Sequence, residues 1–267
     1  MSGLSTSGFG PADGSPLATT GRVVAALLLR ETRVRFGKSQ IGYLWAILEP
    51  LGGIIIFASA FHMIGRVPNV GQSLYLFLAL GMLGYNLQRR LALQLGSAFD
   101  ANRALLSFPI VKRVDTLLAR GVLEFATSML SMAIIIGGLL IVEDIPPPAH
   151  LDIFVGGIAA LALLGFGLGT INAILNSYFG SWRNIESLIS RPLFLMSGIF
   201  FVPSTLPTAI TDILVWNPIL HGIEWLRYGY YEGYRPDFVS FEYLIGWGLV
   251  TTLIGLAAER FLPHGEA

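Results

Sequence analysis

Five stretches of this sequence are apolar over lengths that fit the hydrocarbon core of a bilayer: Tyr43–Gly65, Ser73–Leu95, Thr116–Val142, Ile153–Gly180 and Phe241–Leu262. A helix crossing roughly 30 Å of hydrocarbon needs about 20 apolar residues, because every backbone polar group must be satisfied within the helix. The second stretch is interrupted by Arg89 and Arg90. A sixth, Ile185–Pro203, carries Arg191–Pro192 near its start and reads as a span with a proline-kinked beginning. Composition points the same way: 54% hydrophobic, 13% charged, and a mean hydropathy of +0.66, more than a soluble domain of 267 residues can solvate. The expectation is an all-α integral membrane protein with six transmembrane helices in a single domain over residues 21–267. Residues 1–20 are rich in Gly, Ser and Thr, lack a basic-then-apolar signal pattern, and are expected to form a disordered cytoplasmic tail.

Orientation follows from the basic residues of the short loops. Six spans put both termini on one side, and that side collects fourteen of the seventeen Lys and Arg, including Arg22, Arg30, Arg33, Arg103, Lys112, Arg113 and Arg120. The other side receives Arg66, Arg227 and Arg235 beside Glu143, Asp144 and Asp152. Both termini are therefore expected in the cytoplasm.

Two segments fit neither a span nor a simple loop. In Gly21–Gly37, read as a helix, Arg22, Arg30 and Arg33 share one arc and Ala25, Leu28, Leu29 and Phe36 another, which suits an N-terminal interfacial helix; a short soluble helix is the plainer alternative. Ser204–Asp237 is broken by Pro207 and Pro218 and reads as two short extracytoplasmic helices, re-entrant or interfacial, between spans five and six.

Catalytic and cofactor signatures are weak. The chain has no Cys and four scattered His, so it offers no thiol nucleophile, no disulfide and no metal-ligand spacing. Equal basic and acidic totals, seventeen each, argue against nucleic acid as a partner. Gly37-Lys38-Ser39 ends like a phosphate-binding loop, but Thr32 stands where the first glycine would be. Gly165-Phe-Gly-Leu-Gly169 loosely echoes a dinucleotide fingerprint but lies within a span, where small residues serve close helix packing. Glu49 and Glu124 are the acids nearest the membrane interior, and pairing with a basic neighbour is the plain expectation, Arg120 for Glu124. Arg89 and Arg90 each need water or a counter-charge, so a pore lining and snorkelling to the headgroups both stand.

Three passages resemble the capsular-polysaccharide export permeases, the membrane subunits of ABC exporters. They are Arg33-Val-Arg-Phe-Gly-Lys-Ser-Gln-Ile-Gly-Tyr-Leu-Trp-Ala-Ile-Leu-Glu-Pro50, Ala101-Asn-Arg-Ala-Leu-Leu-Ser-Phe-Pro-Ile-Val-Lys-Arg-Val-Asp115, and Trp216-Asn-Pro-Ile-Leu-His-Gly-Ile-Glu-Trp-Leu-Arg227. Asp100 stands where many members have Glu. The resemblance runs from about Leu27 to Leu262.

It implies a homodimeric permease in the bacterial inner membrane, exporting an acidic, lipid-linked polysaccharide. Two cytoplasmic ATPase subunits would supply ATP and Mg chemistry, and this chain would hold no cofactor. Periplasmic and outer-membrane export proteins would carry the polymer onward. The Asp100–Asp115 loop would be the coupling helix, with Asp100, Asn102, Arg103, Lys112 and Arg113 at the ATPase; without the resemblance it is an ordinary positive-inside loop. The helix beginning at Asn217, a good cap followed by Pro218, would be an outer gate, with His221, Glu224, Trp225, Arg227 and Tyr228 as glycan contacts. Arg89 and Arg90 would line the channel. An aromatic belt at the membrane face is the alternative for Trp225 and Tyr228. Exporters of O-antigen or teichoic acid share the pattern, and a membrane enzyme acting on lipid-linked sugars is the rival of another class.

Overall fold

A computed structural model describes residues 16–36, 41–236 and 238–262, and every regular element among them is helical. The first is α1 (Pro16–Phe36), five residues longer at its start than the expected interfacial helix. Residues 1–15 of the expected tail, and the Gly37-Lys38-Ser39 tripeptide, lie outside the described residues. Leu27 is buried, while Ala25 and Leu29 are exposed beside Arg22, Arg30 and Arg33. The packed face is thus rotated from the arc expected, because Leu27 and Glu31, one helical turn apart, meet the body of the protein.

Next come α2 (Ile41–Met63) and α3 (Leu74–Gly96). The first ends in a Schellman motif, with Gly65 N donating to His62 O at 3.0 Å and Arg66 N to Phe61 O at 2.9 Å. Gly65 has φ +73°, which a residue without a side chain adopts at no steric cost. Ser73 caps α3, its Oγ accepting from Leu76 N at 3.0 Å. The short helices α4 (Ala98–Ala101) and α5 (Arg103–Leu106) turn the chain into α6 (Arg113–Val142), which packs on α3. Next is α7 (Leu151–Tyr178), which contacts α3, α6 and α8 (Trp182–Leu195), as well as α9 (Thr208–Leu214)'s successor α10 (Pro218–Tyr230) and the last helix, α11 (Phe241–Phe261). A 3-10 turn at Pro203–Thr205 precedes α9.

The core sits where α3 and α7 cross. Seventeen residues of α3 are buried, and α7 approaches it through Gly165 and Gly169. A Cβ at Gly165 would lie 2.7 Å from Gln88 O, and one at Gly169 would lie 2.9 Å from Leu91 O. The Gly165–Gly169 run is a packing surface, as small residues in apolar helices are.

Among the described residues four helices are long and apolar enough to cross a membrane: α6, α7, α11 and the Leu44–Met63 part of α2. α3 has the length but carries Arg89 and Arg90. The sixth expected span is only partly helical. α8 has 14 residues, about 21 Å of helix, and the chain from Met196 to Val202 is irregular before the 3-10 turn. Pro192 removes one donor from the end of α8, and Gly198 adopts φ +74°, so the helix does not continue.

Candidate functional site

Irregular backbone among apolar helices is costly unless its polar groups find partners. Side chains distant in sequence supply them to the stretch after α8. Asn217 Nδ2 donates to Met196 O at 3.2 Å, and Arg66 donates to Phe200 O. Arg227 Nη1 donates to Gly198 O at 2.7 Å and Phe201 O at 3.2 Å, while its Nη2 donates to Ile199 O at 3.1 Å. The Arg227 guanidinium also lies 3.8 Å from the Phe77 ring centroid. Two of the three basic residues expected on the outer side, Arg66 and Arg227, thereby close the break in α8.

Arg227 is itself neutralised. Its Nη1 lies 2.5 Å from Glu224 Oε1, both side chains are fully buried, and Tyr234 donates its hydroxyl to Glu224 Oε2. The two residues meet because they are three apart on α10, whose start is fixed by Asn217, the Oδ1 of which accepts from Ile219 N at 3.1 Å. That cap and Pro218 at the first turn match the expectation.

His221 ties α10 to its neighbours. Its Nε2 is 2.7 Å from Val215 O and its Nδ1 accepts from Ser240 N at 3.1 Å, which fixes a neutral ring with Nε2 as donor. Burial lowers its pKa below the ordinary value, against smaller opposing effects from the Val215 carbonyl and Glu224. The Trp225 ring lies 4.2 Å from Phe241 by centroids, and Tyr228 stacks on the same ring at 6.1 Å. Of the five residues expected to touch glycan, His221, Glu224, Trp225 and Arg227 are buried within this chain. Tyr228 is half-buried and lines a cavity of about 220 Å³ with Arg235 and Phe241.

Arg89 and Arg90 diverge from each other. Arg89 pairs with Glu186 of α8, and Ser190 Oγ donates to the same Oε1 at 3.1 Å. This pair lines a cavity of about 170 Å³ with Tyr85, Asn172 and Trp182. Arg90 pairs with Glu49 of α2 at 2.7 Å, and Glu49 keeps 75% of its side chain exposed. Each arginine has the counter-charge that its place in an apolar helix requires.

At the opposite end, the Asp100–Asp115 loop divides into buried and exposed parts. Asn102 is buried: its Oδ1 accepts from Arg30 Nη1 at 2.7 Å, and its Nδ2 donates to Glu31 Oε1 at 2.9 Å and Ala98 O at 3.0 Å. Arg120 reaches Glu31 at 3.2 Å, with further bonds to Gln94 O at 3.0 Å and Ser97 Oγ at 2.6 Å. Glu124 is fully buried one turn along α6. Arg113 lies over the Phe99 ring at 5.1 Å, and Lys112 N donates to Asp115 Oδ2 at 3.0 Å, capping α6. Asp100 makes an exposed pair with Arg183 at 3.5 Å. Arg103 and Lys112 are exposed around Phe108 and Ile110, which are 57% and 62% exposed.

Glu31 and Glu186 were not singled out from the sequence, although each is the sole acidic residue of its helix. An acid alone in a basic or apolar helix signals a partner elsewhere. Among the described residues no group of His, Asp and Glu is placed to hold a metal ion.

Membrane-length helices, a buried ion pair that closes the break after α8, and an exposed basic loop define a helical membrane protein. The chain belongs to the ABC-2 type transporter family, whose membrane component it matches over residues 22–231, and it is a transport component rather than an enzyme. It is 32% identical over 240 residues to the polysialic acid transport protein KpsM of Escherichia coli, covering 89% of this chain and 92% of the relative. It is 29% identical over 251 residues to the capsule polysaccharide export inner-membrane protein BexB of Haemophilus influenzae, covering 93% and 94%. The corresponding protein CtrC of Neisseria meningitidis is 29% identical over 247 residues, covering 91% and 92%.

Proposed function

We propose that this chain is the inner-membrane permease of an ATP-driven exporter of lipid-linked capsule polysaccharide. The observation that carries the reading is its likeness, over about nine-tenths of its length, to relatives named for capsule polysaccharide export and polysialic acid transport. It acts as a homodimer, because among the described residues α8 has none that is buried, which leaves its outer face for a second copy. The broken sixth segment crosses the membrane, so both termini are cytoplasmic, as the basic-residue asymmetry supports.

Arg103 and Lys112, with Phe108 and Ile110 between them, dock on the ATPase, which supplies ATP and Mg chemistry. Asn102 and Arg113 hold that surface in place, and Asp100 orients it through Arg183. Movement of the loop passes along α3 and α6. Arg89, beside Glu186 in its cavity, meets the acidic terminus of the substrate, while Arg90 lies toward the opening with Glu49. At the outer mouth, α10 is a gate: Glu224, Arg227, His221 and Trp225 keep its shape, and Tyr228 faces the passing glycan. Periplasmic and outer-membrane proteins receive the polymer.

The test is surface polysaccharide in a deletion strain complemented with Arg103→Ala/Lys112→Ala, normalised to inserted protein. Loss of export and of ATPase stimulation is expected, and wild-type values for both would overturn the coupling assignment. Ser107→Cys, in a chain with no native Cys, should react with an impermeant maleimide only from the cytoplasmic side. Labelling from outside intact spheroplasts would overturn the orientation.

A further inference from the structure

The α2–α3 and α6–α7 connections meet the end of α10 at the face opposite the Asp100–Asp115 loop. Between them is a cavity of about 430 Å³, within the range of about 300–1,000 Å³ usual for small-molecule sites. Its walls are held in place by bonds that cross elements. Ala149 N donates to Tyr230 O at 3.1 Å, His150 N to Gly229 O at 2.9 Å, and Tyr230 OH to Pro146 O at 2.9 Å. The Tyr230 and Tyr231 rings meet edge-on with centroids 5.4 Å apart. Gly71, at φ +75°, lets the α2–α3 connection lie flat against Tyr231, where any side chain would overlap the ring. The cavity is therefore preformed rather than a gap between loose loops.

Its chemistry is mixed in a specific way. Pro146, Pro147, Pro148 and the tyrosine rings give apolar faces, while Gln72 and Glu232 add polar groups at the rim. The Tyr231 hydroxyl is buried and has no hydrogen-bond partner among the described residues. With so little accessible surface the hydroxyl is turned into the protein, so Tyr231 presents its ring to the cavity. No Lys or Arg lines the cavity, and Glu232 brings a carboxylate. An acidic ligand would meet like charge with no compensating cation.

A pyranose ring matches these features: its C–H faces lie against proline and tyrosine rings, and its hydroxyl rim meets the Gln72 amide and the Glu232 carboxylate. We infer that this cavity binds a neutral sugar unit of the emerging glycan, holding the chain on the outer face after it leaves the channel. The inference rests on the polysaccharide-export reading above. It adds a second contact whose preference for a neutral ring is opposite to that of the basic inner path.

The test uses the full chain in nanodiscs and saturation-transfer NMR with glucose, galactose, mannose, N-acetylglucosamine and the acidic N-acetylneuraminic acid as probes. At least one neutral sugar should receive saturation and the acidic one should not. Gln72→Ala removes the side-chain amide and should weaken the neutral sugar about two- to tenfold, the worth of one hydrogen bond. Glu232→Gln should admit the acidic sugar. No transfer to any neutral sugar, equal transfer to the acidic one in the wild type, or no change in Gln72→Ala would each overturn the site. So would competition by a proline-rich peptide that binds where no sugar does, which would make the cavity a protein-docking surface. Surface polysaccharide in the deletion strain is scored separately. Its persistence would overturn the export reading whatever the sugars do, and its loss with no sugar bound would overturn this site alone.

Discussion

Arg227 and Glu224 form a fully buried ion pair, 2.5 Å apart on one face of α10, and the two terminal nitrogens of the arginine also donate to the carbonyl oxygens of Gly198, Ile199 and Phe201. A buried pair by itself is weak support for stability, since desolvation offsets the attraction. This one differs because the guanidinium also satisfies backbone groups that the end of α8 leaves open. The first prediction separates those two roles. Arg227→Met should destabilise the protein by about 3–5 kcal/mol, because Glu224 is left buried and unpaired. If the pair alone mattered, Glu224→Leu/Arg227→Met would restore stability. The double variant is expected to stay destabilised, as the three carbonyls still lack donors. Thermal unfolding of the purified protein is the measurement, and recovery in the double variant would contradict the account.

Arg227 also marks how far the sequence could be read. Periodicity and hydropathy located α2, α3, α6, α7 and α11 to within a few residues, since helix length and apolar run are set by the same bilayer constraint. The Asn217 cap and Pro218 start were legible because both act within one helical turn. The break after α8 was not, for hydropathy remains high from Leu193 to Val202 whether or not the backbone is helical. What decides the conformation there is a set of donors from Arg66, Asn217 and Arg227, which sequence spacing does not bring together. The same reason hid Glu31 and Glu186, whose partners on other helices lie 71 to 97 positions away.

The His221 ring gives a pH dependence. α10 lies outside the membrane-length helices, and burial lowers the folded-state pKa of His221 below the ordinary value of about 6.5. Between the folded value and about 6.5 the unfolded chain binds the extra proton and the folded one does not, so stability rises with pH across that window. The wild-type protein should therefore lose stability as pH falls below about 6.5 and show no His221 contribution above it. Protonation would also set a ring N–H against Ser240 N, which now donates to Nδ1. Unfolding temperature followed from pH 7.5 to 5 should show a shallower slope in His221→Gln. Identical slopes would remove His221 as the cause.

Close packing of α7 on α3 predicts a contrast between glycines. A Cβ at Gly165 would lie 2.7 Å from Gln88 O and 3.0 Å from its Cα, backbone atoms that cannot move aside. Gly165→Ala should cost about 1–3 kcal/mol by overpacking. Gly137, within α6, has nothing within 4 Å of the added carbon, so Gly137→Ala should be neutral or slightly stabilising. Comparing the two unfolding temperatures tests the crossing directly, and equal effects would mean that the helices are not in contact there.

Glu31 is the last residue whose role the geometry makes testable. It accepts from Arg120 and from Asn102, which in turn accepts from Arg30, so one carboxylate joins α1 to both ends of the Asp100–Asp115 region. Arg120 and Glu31 keep little side-chain exposure, 13% and 12%, so solvent screening is modest and hydrogen bonds to charge here are worth roughly 1.5–3 kcal/mol. Removing the carboxylate should free α1 from α6 without unfolding the apolar helices, whose packing it does not touch. The absence of Cys lets single introduced thiols report this. Leu27→Cys, buried against the body in the native chain, should react with maleimide slowly in detergent-solubilised protein, and Glu31→Ala should speed it about tenfold, since 1.4 kcal/mol is a factor of ten. Ala26→Cys, already exposed on α1, should react at one rate in both backgrounds. An unchanged Leu27→Cys rate would show that α1 is held by its apolar face alone. Export measured on Glu31→Ala would then show whether an attached α1 is needed to keep Arg103 and Lys112 presented, with loss at constant inserted protein as the expected outcome.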